Sequence, residues 1–175
     1  INYPAYKEET PTTIGHYRKY LINQIYSTLL NQRLQELTQK QNPPFVYGGV
    51  GFESYGRGYG AFNAQASSGT GDSKKALEAL VEEIERVKRF GFTAAELERT
   101  KKTMLANYER NYNNRDKTES DNLVEEYIGH FLSQEPIPGI DKEFAYAKEM
   151  LPGVTIEEVN GLSNKFKNEK NRFVY

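Results

Sequence analysis

Apolar side chains recur at intervals of three and four residues over residues 12–40, the longest helical pattern in the chain. The Thr12-Thr13 pair can cap the start of this helix, and Asn42-Pro43-Pro44 ends it. The apolar positions are Ile14, Tyr17, Leu21, Ile22, Ile25, Tyr26, Leu29, Leu30, Leu34 and Leu37. Because they cover a broad arc of the cylinder, we expect this helix to lie against a sheet.

After the long helix, the pattern changes to one typical of strands. Two aromatic and β-branched runs broken by glycines lie within residues 45–66, and they predict a two-stranded hairpin. The second run alternates between a packed face and a wetter face, with Phe62, Ala64 and Ala66 on the first and Ala61, Asn63 and Gln65 on the second. Residues 1–6 predict an edge strand, and residues 172–175 predict a last strand.

Two helices are predicted to meet at a fixed corner near Gly91. The first begins at Asp72 or Ser73 and ends at Gly91, which is followed by the apolar Phe92. The segment Thr93-Ala94-Ala95-Glu96 is a capping box that starts the next helix at once.

The second half of the chain is predicted to be helical. The pattern weakens over residues 111–120, resumes over 123–132 and stops at Pro136. Further helices are expected over residues 141–151 and 159–166. The order is therefore strand, long helix, two strands, four or five helices and a strand, which predicts an α+β fold with an antiparallel sheet.

Length and composition restrict the kind of protein. With 175 residues we expect one domain over residues 1–175, and the Ile-Asn-Tyr start favours excision from a longer protein. No apolar run approaches a membrane span. Lys and Arg number 23 against 24 acidic residues, which gives no basic field for nucleic acid. The absence of cysteine from the sequence excludes disulfides and thiolate metal sites.

Histidine is the first candidate for metal binding, and the sequence has two. His16 has no second histidine or carboxylate three or four residues away. His130 follows Glu126 by four residues, which places both on one helix face, but two ligands do not make a zinc site. We expect both histidines to be ordinary surface or core residues.

Two further segments have a functional and a structural interpretation. Residues 57–62, Arg-Gly-Tyr-Gly-Ala-Phe, are close to the aromatic strand motif of RNA-recognition domains, but Ala61 stands where an aromatic ring should stack. The acids Glu82, Glu83 and Glu85 could form an acid-base pair, although their position opposite the apolar stripe predicts a solvated face.

A charged cluster lies between two apolar helical patterns. Arg110, Arg115, Asp116 and Lys117 could bind a peptide carboxylate or contact another domain. An interdomain salt-bridge patch is an equally good interpretation, because exposed ion pairs are common and individually weak.

Three segments, in this order, resemble the pitrilysin/insulinase family of zinc proteases. They are residues 30–37 with 42–45, residues 82–87, and residues 90–101, which include Gly-Phe-Thr-x-x-Glu-Leu-x-x-x-Lys. The likeness runs from Ile1 to about Asn171 and is to the second, noncatalytic domain of a large bacterial member.

The resemblance implies an α/β-roll, with an antiparallel sheet packed on long helices and four such domains in two clamshell halves around a proteolytic chamber. Family catalysis uses His-x-x-Glu-His and a downstream Glu around zinc. Neither His16 nor His130 has these neighbours, so catalytic and metal residues are expected to be absent here and zinc to lie in the catalytic domain of the parent. Some related domains offer Arg and Tyr to substrate near the helix-to-strand junction, where Tyr47 is the candidate here.

The expected function is therefore that of a noncatalytic, chamber-forming domain of a peptide-degrading zinc metalloendopeptidase. Its expected partners are the catalytic and other domains of the same polypeptide and a peptide in the shared chamber, and relatives suggest the periplasm or cell envelope. The alternatives are a stand-alone peptide- or protein-binding module and a scaffold domain of a wholly inactive homologue. An apolar arc that stays exposed would favour the domain interpretation, since sister domains normally cover such surfaces.

Overall fold

The structure is a computed structural model that describes residues 1–9, 11–54, 58–117, 120–133, 136–167 and 171–175. Its strands are β1 (Tyr6–Lys7), β2 (Tyr47–Ser54) and β3 (Tyr59–Ser67). Its α-helices are α1 (Ile14–Thr38), α2 (Ser73–Phe90), α3 (Ala94–Asn113), α4 (Ser120–Ser133), α5 (Ile140–Met150) and α6 (Ile156–Gly161). Short 3-10 turns lie at Arg115–Lys117, Leu151–Gly153 and Leu162–Phe166.

The three strands form an antiparallel sheet in the order β1-β3-β2. The predicted hairpin is confirmed: β2 and β3 pair over their whole length, from Tyr47 opposite Ser67 to Ser54 opposite Gly60. An α+β fold with an antiparallel sheet and long helices is therefore what the chain adopts.

The two predicted terminal strands are shorter than expected. The first covers Tyr6–Lys7, although the N–H of Tyr3 still donates to the carbonyl of Phe62 at 3.0 Å. The last is a single bridge between Asn2 and Phe173, whose N–H and carbonyl groups bond in both directions at 2.8 and 2.9 Å. A lone pair of strand residues satisfies two hydrogen bonds without extending the sheet.

Helix α1 lies against the sheet, as its apolar arc predicts. Its buried side chains are Leu21, Ile22, Ile25, Tyr26, Leu29, Leu30 and Leu34. The first residue of the arc, Ile14, is exposed. Beneath the helix, Phe62 stacks on Phe166 with ring centroids 4.1 Å apart, and the Tyr26 ring meets Phe92 edge-on at 5.1 Å. The buried Tyr26 hydroxyl bonds the hydroxyl of Ser163 at 3.0 Å, so its polar end is satisfied.

The predicted corner between α2 and α3 is present. Gly91 adopts φ 70°, and the Thr93 and Glu96 capping box forms in both directions. The Asn160 carboxamide holds the corner by accepting from the N–H of Phe92 at 2.8 Å and donating to its carbonyl at 3.2 Å. A Cβ on Gly91 would lie 2.6 Å from this carboxamide, so the close approach also requires glycine.

The prediction of a solvated face on α2 is wrong for Glu83, which is buried. Arg33 of α1 reaches across the helix pair and lies 3.4 Å from Glu83 and 2.9 Å from Glu96. Arg86 adds a contact of 3.3 Å to Glu83. A carboxylate can be buried when cations neutralise it, and periodicity within α2 could not reveal a partner on α1.

Candidate functional site

One face of the sheet is turned away from α1, and we call it the outer sheet face. It comprises Tyr47, Gly49, Gly51 and Glu53 of β2 with Asn63 and Gln65 of β3. Strand geometry sets this division, because Val50 and Phe52 pack against the core and alternate residues point the opposite way. The side chains of Tyr47, Glu53 and Gln65 are exposed.

Tyr47, the candidate substrate contact, lies at the start of β2 with 53% of its surface exposed. Its ring lies over Gly49, where an added Cβ would sit 2.5 Å from the phenol oxygen and 3.0 Å from the carbon that bears it. Farther along this face, Asn63 donates to Glu53 at 2.6 Å. The outer sheet face therefore offers a phenol, a carboxylate and amides above a floor of small residues, groups that suit hydrogen bonding to a peptide.

The free edge of β2 is partly occupied by α1. The N–H of Ala64 donates to the Ile1 carbonyl, so the backbone groups of Ala64 point away from β2 and those of Val50, its partner, point to the free edge. There the Asn31 carboxamide donates to the Val50 carbonyl at 3.0 Å and accepts from its N–H at 2.8 Å. Asn31 thus takes the place of an added strand at this position.

The predicted charged cluster lies at the end of α3 and in the turn that follows. All four of its members, Arg110, Arg115, Asp116 and Lys117, are exposed. Arg110 donates to Asn107 at 2.5 Å. Arg115 donates to the Tyr112 carbonyl at 2.8 Å, and its guanidinium lies 4.4 Å from the centre of the Tyr112 ring. These contacts are local to the helix end and leave the charges at the surface. The cluster and Tyr47 lie on different elements, the end of α3 and the start of β2.

An apolar stripe on α4 is a surface that sequence reasoning missed. Its members follow helical spacing and are all exposed: Val124, Tyr127, Ile128, Phe131 and Leu132. We call these five residues the α4 stripe. The sequence pattern predicts the helix correctly, but the same spacing is typical of a buried stripe.

Glu126 of α4 lies on the side of the helix opposite the stripe, where it is half-buried. Burial raises the pKa of Glu143 on α5, and the charge of Glu126 raises it further. Burial and a hydrogen bond that the Tyr17 hydroxyl donates to Tyr108 also raise the pKa of the Tyr17 phenol on α1. Among the described side chains of α4, Glu126 is therefore half-buried while the five apolar residues of the stripe are exposed.

The two histidines do not match the family's zinc arrangement. Both ring nitrogens of His16 have neighbours at the start of α1: the N–H of Thr12 at 3.0 Å and a Glu9 carboxylate oxygen at 3.1 Å. His130 lies exposed on α4. Within the described ranges, no three His, Asp or Glu side chains are grouped so that they could hold a metal ion.

The aromatic segment that suggests RNA recognition is built into the sheet. Arg57 lies outside the described residues, while Phe62 is fully buried in the core, where its ring cannot stack on a base. Across the described part of the chain, no helix has the length and apolar character needed to cross a bilayer.

Comparisons with known proteins agree with this architecture. The sequence is 29% identical over 155 residues to a zinc protease PQQL-like protein of Arabidopsis thaliana, a match that covers 89% of this chain and 13% of that protein. The fold matches the first half of the periplasmic protease PqqL from Escherichia coli with a TM-score of 0.84 and 17% identity, over 95% of this chain and 36% of that one. A predicted insulinase family protease from Yersinia pestis matches with a TM-score of 0.74 and 13% identity, over 94% and 36% of the two chains.

The chain thus spans a small part of each of these relatives. The family model described as the peptidase M16 inactive domain matches residues 8–104, which is more than half of the sequence. That match includes α1, the β2–β3 hairpin, α2 and the corner that leads into α3. The chain belongs to the peptidase M16 family, as an inactive domain of that family.

Proposed function

We propose that this chain is a noncatalytic wall domain of a larger zinc metalloendopeptidase that degrades peptides. The outer sheet face is the observation that carries the proposal. It is turned away from α1, it bears exposed hydrogen-bonding groups, and Gly51 leaves space above the backbone for a peptide. A surface with these properties suits contact with an extended peptide that is cleaved in another domain.

Zinc and the catalytic residues are proposed to lie in another domain of the same polypeptide. The name of the Arabidopsis relative, a zinc protease, supports this proposal, as does the match to an inactive family domain. The arrangement of His16 at the helix start does not fit a zinc ligand, because both ring nitrogens are engaged by Thr12 and Glu9. The periplasmic relative supports an envelope location for the parent.

Tyr47 provides the sharpest test of the wall role, and Tyr20 provides its matched control. Both tyrosines are about half exposed, at 53% and 51%, but Tyr20 lies on α1, from which the outer sheet face is turned away. In the longer polypeptide, Tyr47→Ala should raise KM for an unstructured peptide several-fold and leave kcat nearly unchanged, because a contact made equally in ground and transition states affects binding alone. Tyr20→Ala should change neither constant.

Tyr47→Phe separates the hydroxyl from the ring. If the phenol bonds the peptide, Tyr47→Phe should reproduce much of the Tyr47→Ala effect, whereas a ring contact should survive in Tyr47→Phe. Equal kinetics for wild type, Tyr47→Ala and Tyr20→Ala would remove Tyr47 from the substrate path.

The exposed α4 stripe favours the domain interpretation over a stand-alone binding module. An isolated module would gain solubility by burying such a stripe, whereas a domain of a larger protein leaves it for a neighbour. The stand-alone alternative predicts that the 175-residue chain alone binds unstructured peptides tightly. Titration calorimetry with such a peptide distinguishes the two, since a wall domain without its neighbours should bind weakly or not at all.

A further inference from the structure

We infer that the α4 stripe is the surface on which this domain packs against another domain of the same polypeptide. This inference rests on the proposed function and adds the location and chemistry of the interdomain contact. It also differs from the prediction based on charge, which placed that contact at Arg110, Arg115, Asp116 and Lys117.

The spacing of the stripe gives the first argument. Val124, Tyr127, Ile128 and Phe131 stand at i, i+3, i+4 and i+7, which places them in one row along the helix. All four are exposed, and Phe131 has 83% of its surface accessible. Isolated exposed apolar residues are ordinary, but a complete row on one helix marks a surface that associates with another.

The orientation of α4 gives the second argument. Glu126 lies between members of the stripe in sequence but on the other side of the helix, where it is half-buried near Glu143. The acid is therefore the half-buried side chain while the five apolar residues of the stripe are exposed, which is consistent with a partner that covers the outside.

The length of the relatives argues for the same polypeptide as the source of that partner. This chain covers 36% of the half-protease with which it superposes and 13% of the Arabidopsis protein. Most of each relative therefore lies outside the matched domain and can supply a neighbour. The described side chains of the stripe carry no charge, so the complementary surface should be an apolar helix or sheet face.

Thiol labelling tests the inference, because this sequence has no cysteine of its own. Phe131→Cys places a thiol on the stripe, and Phe90→Cys places one at the end of α2, where Phe90 is equally exposed at 81%. Both variants are made in the 175-residue chain and in the longer polypeptide. Maleimide modification is followed under native conditions, and the modified site is identified by peptide mass spectrometry.

In the 175-residue chain, the thiols at 131 and 90 should react at similar rates. In the longer polypeptide, the thiol at 131 should react at least about tenfold more slowly than the same thiol in the 175-residue chain, which corresponds to ~1.4 kcal/mol of protection. Tyr127→Cys should behave like Phe131→Cys, which guards against a local effect of one substitution. Unchanged reaction rates at both 127 and 131 in the longer polypeptide would overturn the inference.

Self-association is the competing outcome. If the 175-residue chain forms a dimer by analytical ultracentrifugation and Phe131→Ser abolishes it, while the thiol at 131 stays reactive in the longer polypeptide, the stripe joins two copies and the inference fails. The proposed function fails separately, since the longer polypeptide can cleave or fail to cleave peptides whether or not position 131 is protected.

Discussion

Helices α1 and α4 have the same kind of apolar spacing, but the apolar side is buried in α1 and exposed in α4. Seven residues of α1 are buried against the sheet and its neighbouring helices, whereas the α4 stripe is exposed. Their polar residues differ too: Arg33 of α1 neutralises the buried Glu83 and the half-buried Glu96, while the half-buried Glu126 of α4 lies near a second acid, Glu143. Periodicity therefore predicts that a helix has an apolar side. It does not predict whether residues of this chain cover that side.

The largest difference in stability between the two helices should appear when one leucine of α1 and one isoleucine of α4 are truncated. Leu29→Ala leaves a cavity in a packed core and should lower the free energy of unfolding by about 2–5 kcal/mol. Ile128→Ala removes an exposed side chain and should change it by less than about 0.5 kcal/mol. Urea denaturation of the 175-residue chain measures both. Similar losses would show that α4 is packed much like α1.

Acid should weaken the α1–α3 junction next. Burial alone would raise the pKa of Glu96, but hydrogen bonds from Arg33 and Thr93 lower it to about 2. A depressed carboxyl pKa contributes stability above the unfolded-state pKa, and this contribution is lost as pH falls from about 4.5 through about 2. For a side chain that is 19% exposed, the full contribution is roughly 2–3 kcal/mol.

Glu96→Gln provides the control for this acid dependence. The amide keeps the size of the side chain but cannot ionise, so the variant should be less stable than wild type at pH 7 and should lose less stability between pH 4.5 and 2. Parallel stability curves for the two proteins over that range would exclude Glu96 as the source. The pH dependence that Glu143 of α5 contributes should have the opposite sign. Because its pKa is raised in the folded protein, its contribution to stability increases as pH falls.

The smallest effect is expected at the corner between α2 and α3. Thr93 caps α3 by accepting from the N–H of Glu96 at 3.3 Å, and its own hydroxyl donates to Glu96 at 2.8 Å. Thr93→Ala should cost ~1 kcal/mol, as removal of an N-cap usually does. Thr93→Ser keeps the hydroxyl and should retain most of the stability. An unchanged denaturation midpoint for Thr93→Ala would contradict the role of this cap.

Local signals in the sequence predicted much of the fold. The long helix, the hairpin and the capping box at Thr93 depend on residues close together in the chain, where spacing and cap chemistry decide the outcome. The terminal strands were overpredicted, because their length depends on distant partners such as Asn2 and Phe173. Glu83 was misassigned for the same reason, since one of its two cations, Arg33, lies fifty positions earlier in the chain.

The candidate site was less accessible to sequence reasoning. Tyr47 could be singled out through a family resemblance, but its position over Gly49 on an open sheet face depends on the pairing of β2. The exposure of the α4 stripe could not be predicted, because spacing does not state which side of a helix faces inward. The pair of hydrogen bonds between the Asn31 carboxamide and the Val50 backbone depends on the fit of α1 to the edge of β2.

The central claim is that this domain supports proteolysis without performing it, and deletion tests that claim most directly. Removal of residues 1–175 from the longer polypeptide should abolish cleavage of an unstructured peptide and leave stoichiometric zinc bound, since the ligands are proposed to lie elsewhere. The 175-residue chain alone should hydrolyse nothing, with or without added zinc. A clean preparation of this chain that cleaves the peptide, and loses that activity to a chelator, would contradict the account.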